Sequence, residues 1–426
     1  MISNFKYGFS VLLLSAVFSC SAVPPPQTPK ANITQGFSEQ RLQNIDDVML
    51  KYIEADKLVG TVSLVARNGE IVHFNAHGLR NRESGEKMTT DTIFRIYSMT
   101  KPVTAVAALS LWEQGKFHMN DPISKYLPEL KNLKVYVSGS GDNMVLEDAQ
   151  SPVRIIDLFM HTAGFSYGFS NSEVDKLYRA SPVGNGTATP DTVLSELAKL
   201  PLNHQPGTQW NYGVNTDVIG FLVEKLSGKK LGDYMQETIF EPLGMVDTGF
   251  YVKPENHARF AQIYGAGDKG QTVALDSEPL GDYLTDPAIH NAGGGLTSTA
   301  KDYLAFAQML LNGGEYKGKR ILGRKTVQYM RSNHLSKDLL PFSKDAQGEG
   351  YGLAVSVTVD ENQLRFMGST GDYGWSGAAS TYFRIDPKEN MVILSMTQFL
   401  PIGFHAYHDD FRNVVYQALV DENVEH

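Results

Sequence analysis

Apolar and polar positions along the chain fall into three regimes. Between residues 41 and 53, Leu42, Ile45, Val48, Met49, Tyr52 and Ile53 recur at three- and four-residue intervals, the stripe of an amphipathic helix. Shorter-period patterning takes over from Thr61 to Arg67, stops at Asn68-Gly69, and resumes from Glu70 to His77. Asn-Gly between two such runs predicts a hairpin, because both residues accept the left-handed backbone of a tight turn. A mostly apolar stretch, Ile93 to Tyr97, then leads into an Ala/Val/Leu-rich run after Ser98. That run predicts a helix reaching about Gln114, with Gly115 as its stop.

The middle of the chain, residues 116–290, reads differently. Helical segments are predicted at Val193 to Leu200, Thr216 to Ser227 and Gly232 to Ile239, separated by loops rich in Gly, Pro and Asn, with few convincing strands. The last part returns to strands, predicted at Tyr351 to Val359, Gln363 to Met367, Gly377 to Ile385 and Met391 to Thr397. A helix carrying Phe411, Val414, Val415, Ala418 and Leu419 closes the pattern. Strands at both ends and helices between predict an α+β fold. Its antiparallel sheet is assembled from both ends, flanked by the terminal helices, with a mostly helical lobe inserted. On this reading residues 37–115 and 291–426 form the α/β lobe and 116–290 the helical lobe of one catalytic unit. The cleft between them is the natural place for a site.

The first residues carry a different pattern. Lys6 precedes an apolar run, Gly8 to Phe18, too short to span a bilayer, so residues 1–19 read as an export signal. The only cysteine, Cys20, follows at once in Val17-Phe18-Ser19-Cys20, which resembles the lipobox of bacterial lipoproteins. That resemblance implies lipidation of Cys20 and a membrane anchor, with residues 20–36, including Pro24-Pro25-Pro26, as a tether. An ordinary signal cleaved nearby is the alternative. The expected location is exported, facing the periplasm or held at the outer membrane. A lipidated Cys20 leaves no thiol for a disulfide framework or a cysteine-based zinc site. The 426 residues are 42% hydrophobic and 20% charged, a globular composition. Their net charge of −9 argues against a nucleic-acid partner.

Two serine motifs compete for the chemistry. Gly164-Phe165-Ser166-Tyr167-Gly168 spells G-x-S-x-G, which in an α/β-hydrolase is a sharp strand-to-helix elbow. Here Ile155 to Met160 before it reads as helix and Phe169 to Ser172 after it as loop, so a plain loop is expected. Ser98-Met99-Thr100-Lys101 is an S-x-x-K. The same spacing recurs at Ser3, Ser227 and Ser298, and Ser298 reads as the N-cap of a helix from Thr299 to Leu311. Only Ser98 has a suitable setting. Helical i,i+3 spacing puts Ser98 and Lys101 on one face, at the helix end whose dipole favours developing negative charge. Burial eases proton loss from an amine, which would let such a lysine act as a base. On these residues alone, a serine N-cap beside a solvated lysine competes equally.

Further segments change that balance. Ser98-Met99-Thr100-Lys101, Leu158-Phe159-Met160-His161-Thr162-Ala163-Gly164, Trp210-Asn211-Tyr212, Asp217-Val218-Ile219-Gly220, Pro242 to Thr248 and Gly293-Gly294-Gly295-Leu296-Thr297-Ser298 stand in an order that resembles class C β-lactamases, penicillin-binding proteins and the related family VIII carboxylesterases. The likeness runs over roughly residues 40–420. It implies a β-lactamase/transpeptidase-like fold, Ser98 as nucleophile, Lys101 as its proton acceptor or electrostatic partner, and Tyr212 as proton shuttle to the leaving group. It also implies an oxyanion hole from the backbone N–H groups of Ser98 and Ala378. Two departures matter. Val214 stands where the lactamases carry Asn in Tyr-x-Asn, and Trp375-Ser376-Gly377 stands where they carry Lys-Thr-Gly. Trp375 and Gly377 are then expected to contact substrate, and the lost lysine removes a cation for a substrate carboxylate. Core packing is the other reading of Trp375.

The expected activity is hydrolysis of small carboxylic esters through an acyl-enzyme. A weak β-lactamase or D-amino-acid peptidase is the nearest rival, and a non-catalytic binding protein on the same scaffold the more distant one. The expected partner is a small acyl substrate. Nothing calls for a cofactor or a metal: Gly293-Gly294-Gly295 lacks the Lys-Ser/Thr sequel of a phosphate loop, His161 reads as a structural loop residue, and His405 and His408 as cleft or surface residues.

Overall fold

The computed structural model describes Met1 and residues 33–184, 188–275 and 281–420. Lys6, the run Gly8 to Phe18, Cys20 and the prolines 24–26 lie outside the described residues.

An eight-stranded sheet organises the molecule. Its strands run in the order Glu349–Tyr351, Ser356–Thr358, Tyr373–Ser376, Tyr382–Asp386, Met391–Met396, Gly60–Arg67, Glu70–Asn81, Glu86–Lys87. Every neighbouring pair is antiparallel. The two ends of the sequence meet where Met391–Met396 pairs with Gly60–Arg67, from Met391↔Arg67 to Met396↔Val62. Both central strands are buried throughout, which explains why their sequences are almost continuously apolar and not strictly alternating. The turn at Asn68-Gly69 is as expected, with both residues at positive φ.

The terminal helices cover one face. Helix Glu39–Glu54 starts at Ser38, whose side chain accepts from the Arg41 N–H, and buries Leu42, Ile45, Met49 and Tyr52. It packs beside helix Tyr407–Tyr416, which contributes Tyr407, Phe411 and Val415 to the same cluster. Each fully buried side chain of this kind is worth about 1.5–3 kcal/mol. On the other face lie helices Thr100–Glu113 and Ala300–Leu311. Thr100–Glu113 is buried almost all round, so it is a core helix and not an amphipathic one. It packs on Asn215–Ser227, and one hydrophobic core continues from the sheet into the helices of the middle segment.

Five sequence expectations need correction. Residues 363–367 form no strand: Glu361–Gln363 is a 3-10 turn, and Phe366 instead packs under the Arg412 guanidinium, 4.3 Å away. Tyr351 to Val359 is not one strand but a hairpin, Glu349–Tyr351 against Ser356–Thr358, reversing near Ala354 at φ 62°. Gly377 to Ile385 is half strand; Gly377 to Ser380 turn, and the partner strand Tyr373–Ser376 precedes them. The middle segment also holds an antiparallel hairpin, Lys134–Ser138 with Val145–Asp148. Finally, Thr299 rather than Ser298 caps Ala300–Leu311, its side chain accepting from the Asp302 N–H. Ser298 ends a short strand and bonds to Thr248 Oγ1.

Candidate active site

Ser98 is delivered by a break in backbone regularity. The short strand Phe94–Arg95 runs into a 3-10 turn, Tyr97–Met99, before helix Thr100–Glu113 begins. Tyr97, at φ 42°, takes a left-handed conformation that costs free energy in a bulky residue, of the order of 1–3 kcal/mol. The bend leaves Ser98 partly exposed to a cavity of about 1140 Å³ while Lys101, one turn on, is fully enclosed. Pro102 is tolerated because it lies in the first helical turn.

Lys101 Nζ lies 3.2 Å from Ser98 Oγ and 2.6 Å from the Gly293 carbonyl oxygen. The rings of Tyr212 and Tyr167 flank it, with centroids 4.6 and 5.0 Å from the nitrogen. Tyr212 sits in the loop before helix Asn215–Ser227, and its hydroxyl accepts from Trp375 Nε1 at 3.2 Å. Ser98, Lys101, Tyr212, Trp375, Gly377 and Ala378 all line one cavity. Val214, in the lactamase asparagine's place, is apolar and buried, while Asn215 turns away to bond His161.

Gly377 and Ala378 divide their work. The Gly377 N–H is committed to the Thr381 carbonyl at 2.8 Å, and a Cβ there would stand 2.4 Å from the Ile96 carbonyl oxygen. Its value is close approach of the turn to the chain entering Ser98. The Ala378 N–H has no hydrogen-bond acceptor among the described residues, while its carbonyl is held by the Ile402 N–H at 2.8 Å. A rigid turn with one uncommitted donor beside Ser98 suits an oxyanion.

The competing serine is structural. Ser166 is buried in a loop, its hydroxyl bonded to the Asp175 carboxylate and accepting from the Gly168 N–H at 3.0 Å. His161 is structural too. Asn215 Nδ2 and the Gly213 N–H both donate to its Nδ1, so the ring is neutral with its proton on Nε2. Burial and nearby Lys101 hold its pKa well below the ordinary value. Its carbonyl takes the Asn211 N–H at 2.8 Å, and its ring lies 4.8 Å from that of Tyr212, so it braces the tyrosine loop. His405 and His408 line the far end of the cavity. Two residues the sequence reading did not single out also stand here. Tyr167 lies beneath Lys101, and Phe169, 78% exposed, stacks on it at 5.1 Å. Tyr167 stood inside the pentapeptide around Ser166, where attention went to the serine, and Phe169 opened the loop after it.

A family model described as Beta-lactamase matches residues 45–417. Protein Rv1367c of Mycobacterium tuberculosis is 37% identical over 357 residues, spanning 82% of this chain and 88% of that protein. Esterase EstB of Burkholderia gladioli is 35% identical over 228 residues, 52% of this chain and 54% of EstB. Among solved structures, EstCE1, described as a hydrolase with promiscuous acyltransferase activity, superposes with a TM-score of 0.76 at 25% identity. The match covers 89% of this chain and 99% of EstCE1. With its sheet, its helices and nearly its whole length matched, this chain belongs to the β-lactamase family of serine hydrolases.

Proposed function

We propose that the protein hydrolyses carboxylic esters through an acyl-enzyme on Ser98. The observation that carries this reading is Lys101 Nζ, buried, 3.2 Å from Ser98 Oγ and pinned there by the Gly293 carbonyl. In the proposed cycle Ser98 Oγ attacks the ester carbonyl carbon as Lys101 takes the hydroxyl proton. The carbonyl oxygen gains negative charge and is received by the N–H groups of Ser98 and Ala378. The C–O bond to the alcohol breaks, Tyr212 gives its proton to the departing alkoxide, and Lys101 restores that proton to Tyr212. Water then attacks the acyl-serine by the same route reversed, releasing the carboxylic acid and returning the proton to Ser98.

Esters are favoured over β-lactams by what stands at Trp375. An indole there offers an apolar surface and spends its N–H on Tyr212, so the strand beside Ser98 presents no cation to a substrate carboxylate. Esterase EstB and the hydrolase EstCE1 are similar chains whose names support the same reading.

The test is stoichiometric labelling by a fluorophosphonate, followed by turnover of a short acyl ester and of a chromogenic cephalosporin. Labelling of one serine, lost in Ser98→Ala, with ester turnover far above cephalosporin turnover, is the expected result. Efficient lactam hydrolysis with poor ester turnover would transfer the assignment to the lactamase branch. Absence of both labelling and turnover would leave a binding protein.

A further inference from the structure

Two residues of the cavity wall, Asp217 and Tyr167, are unused by the proposed cycle, and both close on Gly293, whose carbonyl holds Lys101. They form one hydrogen-bonded unit. Gly293 carries the carbonyl that receives Lys101 Nζ at 2.6 Å. The N–H of the same residue donates to Asp217 Oδ1 at 3.0 Å, and the Tyr167 hydroxyl donates to Asp217 Oδ2 at 3.2 Å. The Tyr167 ring returns to Lys101, its centroid 5.0 Å from Nζ. Helix Asn215–Ser227 supplies Asp217 from its first turn, so the carboxylate stands on a rigid element.

The fit is tight enough to dictate residue type. A Cβ at Gly293 would stand 2.4 Å from the Tyr167 hydroxyl oxygen and 2.6 Å from Asp217 Oδ2. Glycine is thus required for the carboxylate and the phenol to close on the peptide that holds Lys101. Burial raises the pKa of Asp217, with Lys101 pulling the other way, and burial beside Asp217 raises that of Tyr167. A polar pair set this deep in a catalytic cleft costs desolvation, which a purely structural contact could avoid with apolar side chains.

We infer that Asp217, supported by Tyr167, is a positioning residue that acts through the Gly293 peptide: it fixes the carbonyl that keeps Lys101 Nζ against Ser98 Oγ. The inference rests on Ser98 being the nucleophile. Asparagine in place of Asp217 can still accept from the Gly293 N–H and donate to the Tyr167 oxygen. Alanine can do neither, and Lys101 then loses the fixed end of its tether.

The experiment measures the second-order rate of fluorophosphonate labelling, together with kcat and KM on a short ester, for full-length wild type, Asp217→Ala, Asp217→Asn and Gly293→Ala. Thermal melting confirms that each is folded. Asp217→Ala is expected to lose about 30-fold or more in both labelling rate and kcat with KM within about twofold. Asp217→Asn should keep at least about a third of wild-type labelling and kcat. Gly293→Ala should slow labelling as Asp217→Ala does, and serves if Asp217→Ala does not fold. A labelling rate unchanged in Asp217→Ala or Gly293→Ala overturns the inference, as does Asp217→Asn falling as low as alanine. If wild type is not labelled at all, the acyl-enzyme reading itself has failed, a result distinct from either.

Discussion

At the scale of single residues, the two serines separate cleanly by what surrounds them. Ser98 has a buried amine within reach and an open cavity in front; Ser166 has a carboxylate and a backbone N–H closing its hydroxyl off. Ser166→Ala is expected to keep ester turnover within about threefold while lowering stability by about 1–3 kcal/mol, the cost of leaving Asp175 short of a buried partner. Paired activity and urea-melt measurements check both halves; loss of activity in a folded Ser166→Ala protein would reverse the assignment of the nucleophile. Trp375→Phe keeps the apolar surface and removes only the N–H on Tyr212. Turnover is expected to fall about fivefold with little change in KM, the value of one hydrogen bond. The residues legible in the sequence were those whose type and spacing announce chemistry, a serine and a lysine three apart on a helix. Asp217 and Gly293 stood in quoted segments without a role. Their link to each other and to Lys101 joins positions 76 residues apart, which no local pattern encodes.

At the scale of elements, hydrophobic period worked where an element buries one face or all of itself and failed where side chains pack without a ladder. Glu39–Glu54 and the Asn-Gly hairpin followed their patterns closely. The stretch from Gln363 to Met367 alternates like a strand, yet it meets the last helix without a ladder: Phe366 packs under Arg412, and the Met367 backbone bonds the side chains of Asn413 and Arg412. The turn Gly377 to Ser380 was hidden because small apolar residues read as strand interior, although its geometry is what frees the Ala378 N–H. The last helix reaches that turn through His408, whose Nε2–H donates to the Ser380 carbonyl at 2.9 Å and whose ring stacks on Tyr382. Burial lowers the His408 pKa to about 4. Above pH 6.5 the ring is neutral folded and unfolded, and the bond contributes fully. As pH falls from 6.5 towards 4 the unfolded chain takes up a proton that the folded one refuses, so stability drops. Allowing for partial exposure of the ring, the loss is about 1–2 kcal/mol. His408→Gln keeps an N–H donor and does not titrate. Its unfolding free energy, from urea melts at pH 7 and pH 4.5, should therefore gain on wild type by that amount at the lower pH; a constant difference would show that His408 is protonated as readily folded as unfolded.

At the scale of the whole molecule, the sheet joins the two ends of the chain, so the fold is complete only when Met391–Met396 meets Gly60–Arg67. The alternation of strand-rich ends and a helix-rich middle made that closure legible before any coordinates, since a sheet split by a helical insertion has few other solutions. Next to the terminal helices, Ile33–Thr34 pairs with Phe37–Ser38, and Phe37 bridges Leu419. Among the described residues no helix is long and apolar enough to cross a membrane. We propose that Cys20 anchors the chain to a membrane, lipidated after removal of residues 1–19; the tether expected over residues 20–36 is shortened to 20–32, because Ile33–Thr34 is paired with Phe37–Ser38. Each buried CH₂ of an acyl chain contributes about 0.8 kcal/mol, and more than one chain is needed for stable anchoring. Full-length protein and Cys20→Ser, expressed in a bacterial host, are fractionated into membrane and soluble pools and weighed by mass spectrometry. Wild type is expected in the membrane pool with its N-terminus at residue 20 and added acyl mass, and Cys20→Ser is expected without that mass and displaced from the membrane. An unmodified, soluble wild type beginning at another residue would refute the anchor while leaving the hydrolase reading untouched, because that reading rests on Ser98, Lys101 and Tyr212.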